Sequence, residues 1–146
     1  MMKATFEGLK QIAQQCFEMA KEKGWWDRFA GRNMTPDEIA AKLCLIHSEV
    51  SEALEEVRNG AKPPQWGARY LAGLSTFTEL AQAKEFVAKN GYPDFPKPEG
   101  FASELADVVI RVFDLSTFLG IDIAEAIREK MEYNKSREYR HGGKAL

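Results

Sequence analysis

The chain has 146 residues, 45% of them hydrophobic and 29% charged, the balance of an ordinary folded protein with room for one compact domain. A formal net charge of −2 lacks the basic footprint of a protein that binds a nucleic-acid polymer, though it leaves nucleotides open as ligands. No apolar run approaches the ~20 residues that span a bilayer, and the opening MMKATFEGLKQIAQQ has no signal-like apolar core, so no membrane role is expected and the expected compartment is the cytoplasm.

The first expected helix runs from about Thr5 to Lys23, with Phe6, Leu9, Ile12, Ala13, Cys16, Phe17 and Ala20 recurring at three- and four-residue steps. Gly24 supplies its stop, and Trp25-Trp26-Asp27 open a loop. The second helix starts at Thr35-Pro36-Asp37-Glu38, a capping hydroxyl followed by proline at the first helical position and a glutamate that completes a capping box. Ile39, Leu43, Ile46, Val50, Leu54 and Val57 form the stripe expected to be buried, and Asn59-Gly60 ends the helix. Cys16 and Cys44, the two cysteines, fall in these helical patterns and read as small reduced core residues, with no CxxC or Cys/His cluster for zinc.

Residues 61–100 are less regular. Pro63-Pro64 and the run Tyr92–Pro98 are breakers, and between them about Ser75 to Lys89 reads as a helix, with no segment β-rich enough to organise a sheet. The third bundle helix covers about Phe101 to Leu119 on a seam of Phe101, Leu105, Val108, Val112, Leu115 and Leu119. The fourth starts at Asp122, where Asp122 and Glu125 resemble a capping box, and continues to about Glu138. The expected fold is all-α: one four-helix-bundle-like domain over 1–146, with 61–100 inserted between helices two and three.

The acids stand out against this frame. In HSEVSEALEEVR, Glu49 and Glu52 are three apart and Glu56 follows a turn later, flanking the apolar stripe at about 100° from Val50. On the third helix Glu104, Asp107, Arg111 and Asp114 form a stripe one residue before the seam, with Asp114 a candidate partner of Arg111. Like charges at this spacing repel by roughly a few tenths of a kcal/mol, and desolvation beside a seam adds to the cost. A solvated acidic face explains either pair alone. Two pairs on helices expected to pack together leave both readings open, that solvated face and a site for a hard divalent cation, with Mg²⁺ taking some carboxylate oxygens and leaving the rest to water and phosphate. A ferritin-like dimetal site wants Glu-x-x-His pairs, and His47 lies about 200° from Glu49 around the helix.

Glu49-Val50-Ser51-Glu52 followed by Glu104-Leu105-Ala106-Asp107 resembles the EXXE…EXXD signature of the MazG-like all-α NTP pyrophosphohydrolases. GFASELADVVIRVFDLSTFLGID and KMEYNKSREYRHGGKAL are similar to smaller members, and the resemblance covers about two-thirds of the chain. It implies Mg²⁺-dependent hydrolysis of a nucleoside or deoxynucleoside triphosphate to monophosphate and pyrophosphate, with Mn²⁺ as a substitute ion. The matching metal positions are Glu49, Glu52, Glu104 and Asp107, with Glu49 or Glu52 also acting as general base. The 61–100 segment departs from the family's shorter connection, so substrate choice does not carry over. Phosphoribosyl-ATP pyrophosphohydrolysis is an alternative within the same chemistry, and a non-catalytic helical oligomer or binding protein is one outside it. Continuous seams and the resemblance both point to a homodimer or homotetramer.

On the substrate side, Lys130, Asn134 and Arg137 stand at i, i+4 and i+7 of the fourth helix and suit phosphate and sugar recognition, a role the resemblance also implies for Lys130 and Asn134. Complementing the helix dipole is the competing role, most directly for Arg137. Trp25 and Trp26 offer faces for stacking on a base, against the plainer role of a core plug. Arg140, His141 and Lys144, with Gly142-Gly143, either close over phosphates or form a frayed tail.

Overall fold

The computed structural model describes residues 2–61, 69–72, 75–92 and 95–138, and the side chains of all but 2–4 and 72 among them. Five α-helices dominate these residues: α1 (Met2–Glu22), α2 (Pro36–Arg58), α3 (Leu80–Asn90), α4 (Phe101–Phe118) and α5 (Ile123–Lys135). The fold is mostly all-α, with one addition: three short strands, β1 (Arg69–Ala72), β2 (Ser75–Phe77) and β3 (Lys97–Glu99). The chain divides into two compact units, one of Met1–Asn33 with Val112–Leu146 and one of Met34–Arg111, so α4 contributes residues to both.

The first unit is built on aromatic packing. Trp26, 4% exposed, stacks its indole on Phe118 at 4.1 Å between centroids, and Phe17 and Phe29 close around it at 5.9 and 5.6 Å. Such rings bury a large apolar area, and a buried indole N–H needs an acceptor. Asp114 provides it, with Trp26 Nε1 donating to Oδ1 at 2.6 Å. α1 packs on α5, with Ala13 and Ala124 both buried, and Lys10 pairs with Asp122 at 2.6 Å. Asp122 caps α5 by accepting from the backbone N–H of Glu125. The helix ends at Lys135 with Ser136 as its cap, three residues short of the expected Glu138.

In the second unit α2 begins as its sequence requires. The Thr35 side chain accepts from the N–H of Glu38, whose carboxylate accepts from the N–H of Thr35 in return. The inward face of α2 differs from the expected one. Glu49 and Ala53 are buried, whereas Leu43, Val50, Leu54 and Val57 remain 43% to 56% exposed. The helix is therefore turned by about 100°, one residue, from the orientation that its apolar stripe suggested. Cys44 is exposed and Cys16 buried, so only one of the two thiols is a core residue.

The strands form an antiparallel sheet in the order β2-β1-β3, with Tyr70 opposite Phe77 and Arg69 opposite Glu99. Ser75–Phe77, expected as the start of a helix, is strand β2, and α3 begins only at Leu80. Thr76 and Phe77 favour a pleated surface, and Phe77 packs its ring on Phe86 of α3 at 5.2 Å. β3 runs directly into α4 through Gly100, whose φ of 97° is a conformation that other residues adopt only with strain. The Gly100 carbonyl accepts from the N–H groups of Ser103 and Glu104, closing the first turn of α4.

Candidate metal centre

The acids of α2 and of the first part of α4 belong to the same unit, and three of them converge. One carboxylate oxygen each from Glu49, Glu104 and Asp107 lie within 4.8 Å of one another. The i,i+3 spacing places Glu104 and Asp107 on one side of α4, and the turn of α2 described above brings Glu49 inward. Glu52, at the expected fourth position, is exposed and accepts from the Ser48 hydroxyl at 3.3 Å. It lies outside the three-oxygen group, yet its charge is felt by both acids of α4.

Glu49 is 6% exposed, and a carboxylate so placed needs a partner. Arg111 of α4 provides one, donating to Oε1 from Nε at 2.7 Å and reaching it with Nη2 at 2.5 Å. The sequence offered Asp114 to Arg111 because the two stand three apart. The structure joins Arg111 to Glu49 across helices and gives Asp114 the Trp26 indole. Seven residues beyond Glu49, about two turns further along α2, Glu56 accepts two hydrogen bonds from Nη2 of Arg69 in β1, at 2.9 and 3.1 Å.

The electrostatics fit a site short of positive charge. Burial pushes the Glu104 carboxyl above its ordinary range, and the charges of Glu52, Asp107 and Glu49 push it further, with Lys97 of β3 opposing. Asp107 is raised as well, by burial first and then by Glu49 and Glu52, against Arg111 and Lys97. Clustered hard oxygen donors of this kind suit Mg²⁺ or Mn²⁺, and the group holds no histidine or cysteine that would favour a softer ion. Arg111 and Lys97 thus join the site although their sequence positions gave no such signal. Arg111 appeared only as a neighbour on its own helix, and Lys97 only inside a proline-bearing run.

The remaining candidates fall in the other unit. Lys130 and Asn134 are exposed on α5, and Lys130 Nζ lies over the Tyr133 ring at 5.2 Å from its centroid. Arg137 stands beyond the helix end, its N–H bonded to the Asn134 carbonyl at 3.3 Å, so the i+7 helical spacing that joined it to the others does not apply. Its guanidinium approaches the same Tyr133 ring at 5.9 Å. Trp25 is 67% exposed, while Trp26 is the core plug, one indole face covered by Phe118. Arg140, His141 and Lys144 lie outside the described residues.

A stretch of 36 residues is 50% identical to the dATP/dGTP diphosphohydrolase of cyanophage S-2L, covering 25% of this chain and 34% of that protein. The match thus spans about a third of the relative's length. No protein-family model matches the chain, and no solved structure does. No helix among the described residues is long and apolar enough to cross a membrane.

Proposed function

We propose that the chain hydrolyses a nucleoside or deoxynucleoside triphosphate to the monophosphate and pyrophosphate. The observation that carries the reading is the convergence of Glu49, Glu104 and Asp107 from two helices, with Glu52 at its exposed edge. The short match to a protein named for acting on dATP and dGTP supports the same chemistry and makes purine deoxynucleotides the first substrates to try.

Glu49, Glu104 and Asp107 would each offer one oxygen to a Mg²⁺ ion, with Mn²⁺ as a substitute. When bound, the ion supplies neutralisation of phosphate oxygens and a lowered pKa for water. Arg111 pins Glu49 through Oε1, which fixes that carboxylate and leaves Glu52 better placed to move a proton. In the proposed step a water oxygen attacks the α-phosphorus in line, its proton passes to Glu52, and the bond to the bridging α–β oxygen breaks as pyrophosphate leaves. Lys130, Asn134, Arg137 and Trp25 remain proposed contacts to phosphate, sugar or base.

The test is a panel of NTPs, dNTPs and phosphoribosyl-ATP with Mg²⁺ or Mn²⁺, scored for both products. Release of pyrophosphate and monophosphate in equal amounts is expected, with Asp107→Ala and Glu52→Ala each lowering turnover at least ~100-fold while helical circular dichroism persists. No turnover on the whole panel, or near-wild-type rates in either variant, counts against the reading.

A further inference from the structure

Beside the acid cluster, a cavity of about 400 Å³ lies between β3 and the first turns of α4. Ala102, Ala106 and Ile110, at successive four-residue steps of α4, form an apolar wall, and the two alanines leave space that larger side chains would fill. Asp107 lines the same cavity from the acid cluster, and Lys97 of β3 lines it from the strand. The walls are tied together: the Ser103 hydroxyl donates to the Pro98 carbonyl at 3.2 Å, and the Ser103 N–H donates to the Gly100 carbonyl at 2.8 Å. A cavity that is mostly apolar, with a few placed polar groups at one side, is how small-molecule sites are commonly built.

The two chemistries sit side by side, so the ligand that fits has two parts, a flat apolar body and a polyanionic tail. Arg111 is committed to Glu49, whereas Lys97 contacts Glu99 at 3.2 Å with its side chain 74% exposed. An ion pair so open to solvent contributes little and is readily exchanged for a phosphate oxygen. A lysine on a flexible stem acts on phosphate as a movable point charge, without the fixed fork of an arginine.

Building on the pyrophosphohydrolase reading, we infer that the β3–α4 cavity receives the nucleoside part of the substrate and that Lys97 holds its phosphates beside the acid cluster. The 61–100 segment then takes part in substrate recognition through β3, and this role is independent of the residues on α5.

Three measurements on the full chain test this: KM and kcat for dGTP, inhibition by inorganic tripolyphosphate, and calorimetric binding of dGMP. Lys97→Met should raise KM for dGTP about tenfold with kcat reduced less than threefold, and should weaken tripolyphosphate inhibition by a similar factor. Ala106→Leu, which fills the apolar wall, should weaken dGMP binding about tenfold and leave tripolyphosphate inhibition within twofold of wild type. If Ala106→Leu loses helical circular dichroism, Ala102→Leu on the same wall takes its place. An active wild type with Lys97→Met unchanged in both KM and tripolyphosphate inhibition overturns the inference alone, as does a folded wall variant that binds dGMP normally. A wild type that releases no pyrophosphate and binds no dGMP overturns the function reading and this inference together.

Discussion

Glu104 and Asp107 carry a pH signature, since burial and neighbouring carboxylates raise both above their ordinary range. Below the unfolded values, near 4, both states are protonated and the groups contribute nothing to pH dependence. As the pH climbs toward the raised folded values the unfolded chain loses these protons first, so stability declines, and the penalty is complete above the folded values. The metal-free protein should therefore melt higher at about pH 5 than at pH 7, and the double variant Glu104→Gln/Asp107→Asn should flatten that difference. Adding Mg²⁺ at pH 7 to about 100 times its Kd should contribute ~2.7 kcal/mol, a rise of roughly 5–10 °C in Tm. A melt that ignores both Mg²⁺ and the double substitution would remove the metal from the account. These acids were legible because the i,i+3 spacing is local. Arg111 and Lys97 were not: Arg111 meets Glu49 on α2, the acids whose charge Lys97 offsets lie on α4, and sequence distance does not report such neighbours. Trp25 and Trp26 make the same point: adjacent in sequence, one is 67% exposed and the other 4%.

Among the elements, the capped starts of α2 and α5 were the most readable features. The Thr35 capping box and the Asp122 cap form as their side-chain chemistry requires, because each is settled within four residues. The strands escaped notice because each is only three or four residues long and gains its partners from outside itself. The inward face of α2 escaped for a related reason. Periodicity finds a stripe, but the helix buries Glu49 and Ala53 beside it, and the Arg111 contact that accompanies this comes from α4. The junction of β3 with α4 depends on Gly100 at φ 97°. Gly100→Ala should cost about 1–2 kcal/mol and lower Mg²⁺ affinity as well, since the same turn presents Glu104; urea unfolding and a Mg²⁺ titration would separate the two effects. An unchanged Mg²⁺ affinity would mean that the acids of α4 are set without this turn.

At the scale of the whole molecule, the exposed stripe of Leu43, Val50, Leu54 and Val57 follows steps of seven, four and three residues, the spacing of a helix–helix seam. Apolar stripes of this length are rarely left to water. A second copy of the chain, pairing α2 with α2 about a two-fold axis, is the proposed cover, because one self-complementary stripe then serves both partners. Sedimentation should give at least twice the 16.5 kDa of one chain, and Leu54→Glu should return it to the monomer. A wild type that sediments at 16.5 kDa at every concentration would show that the stripe has another use.

The rung that pairs Arg69 with Glu99 has a consequence for how the centre is dimensioned. Arg69 grips Glu56 on α2, and Glu99 is the last strand residue before Gly100 and α4. A single rung therefore joins the anchorage of one acid-bearing helix to the origin of the other, and the ladder works as a ruler for the gap between them. A slip of one residue would shift that ruler by about 3.3 Å. The three oxygens meet within 4.8 Å, so such a slip would scatter them. If the three acids hold the proposed ion, fidelity of strand pairing is a determinant of its affinity, although no strand residue is itself among them.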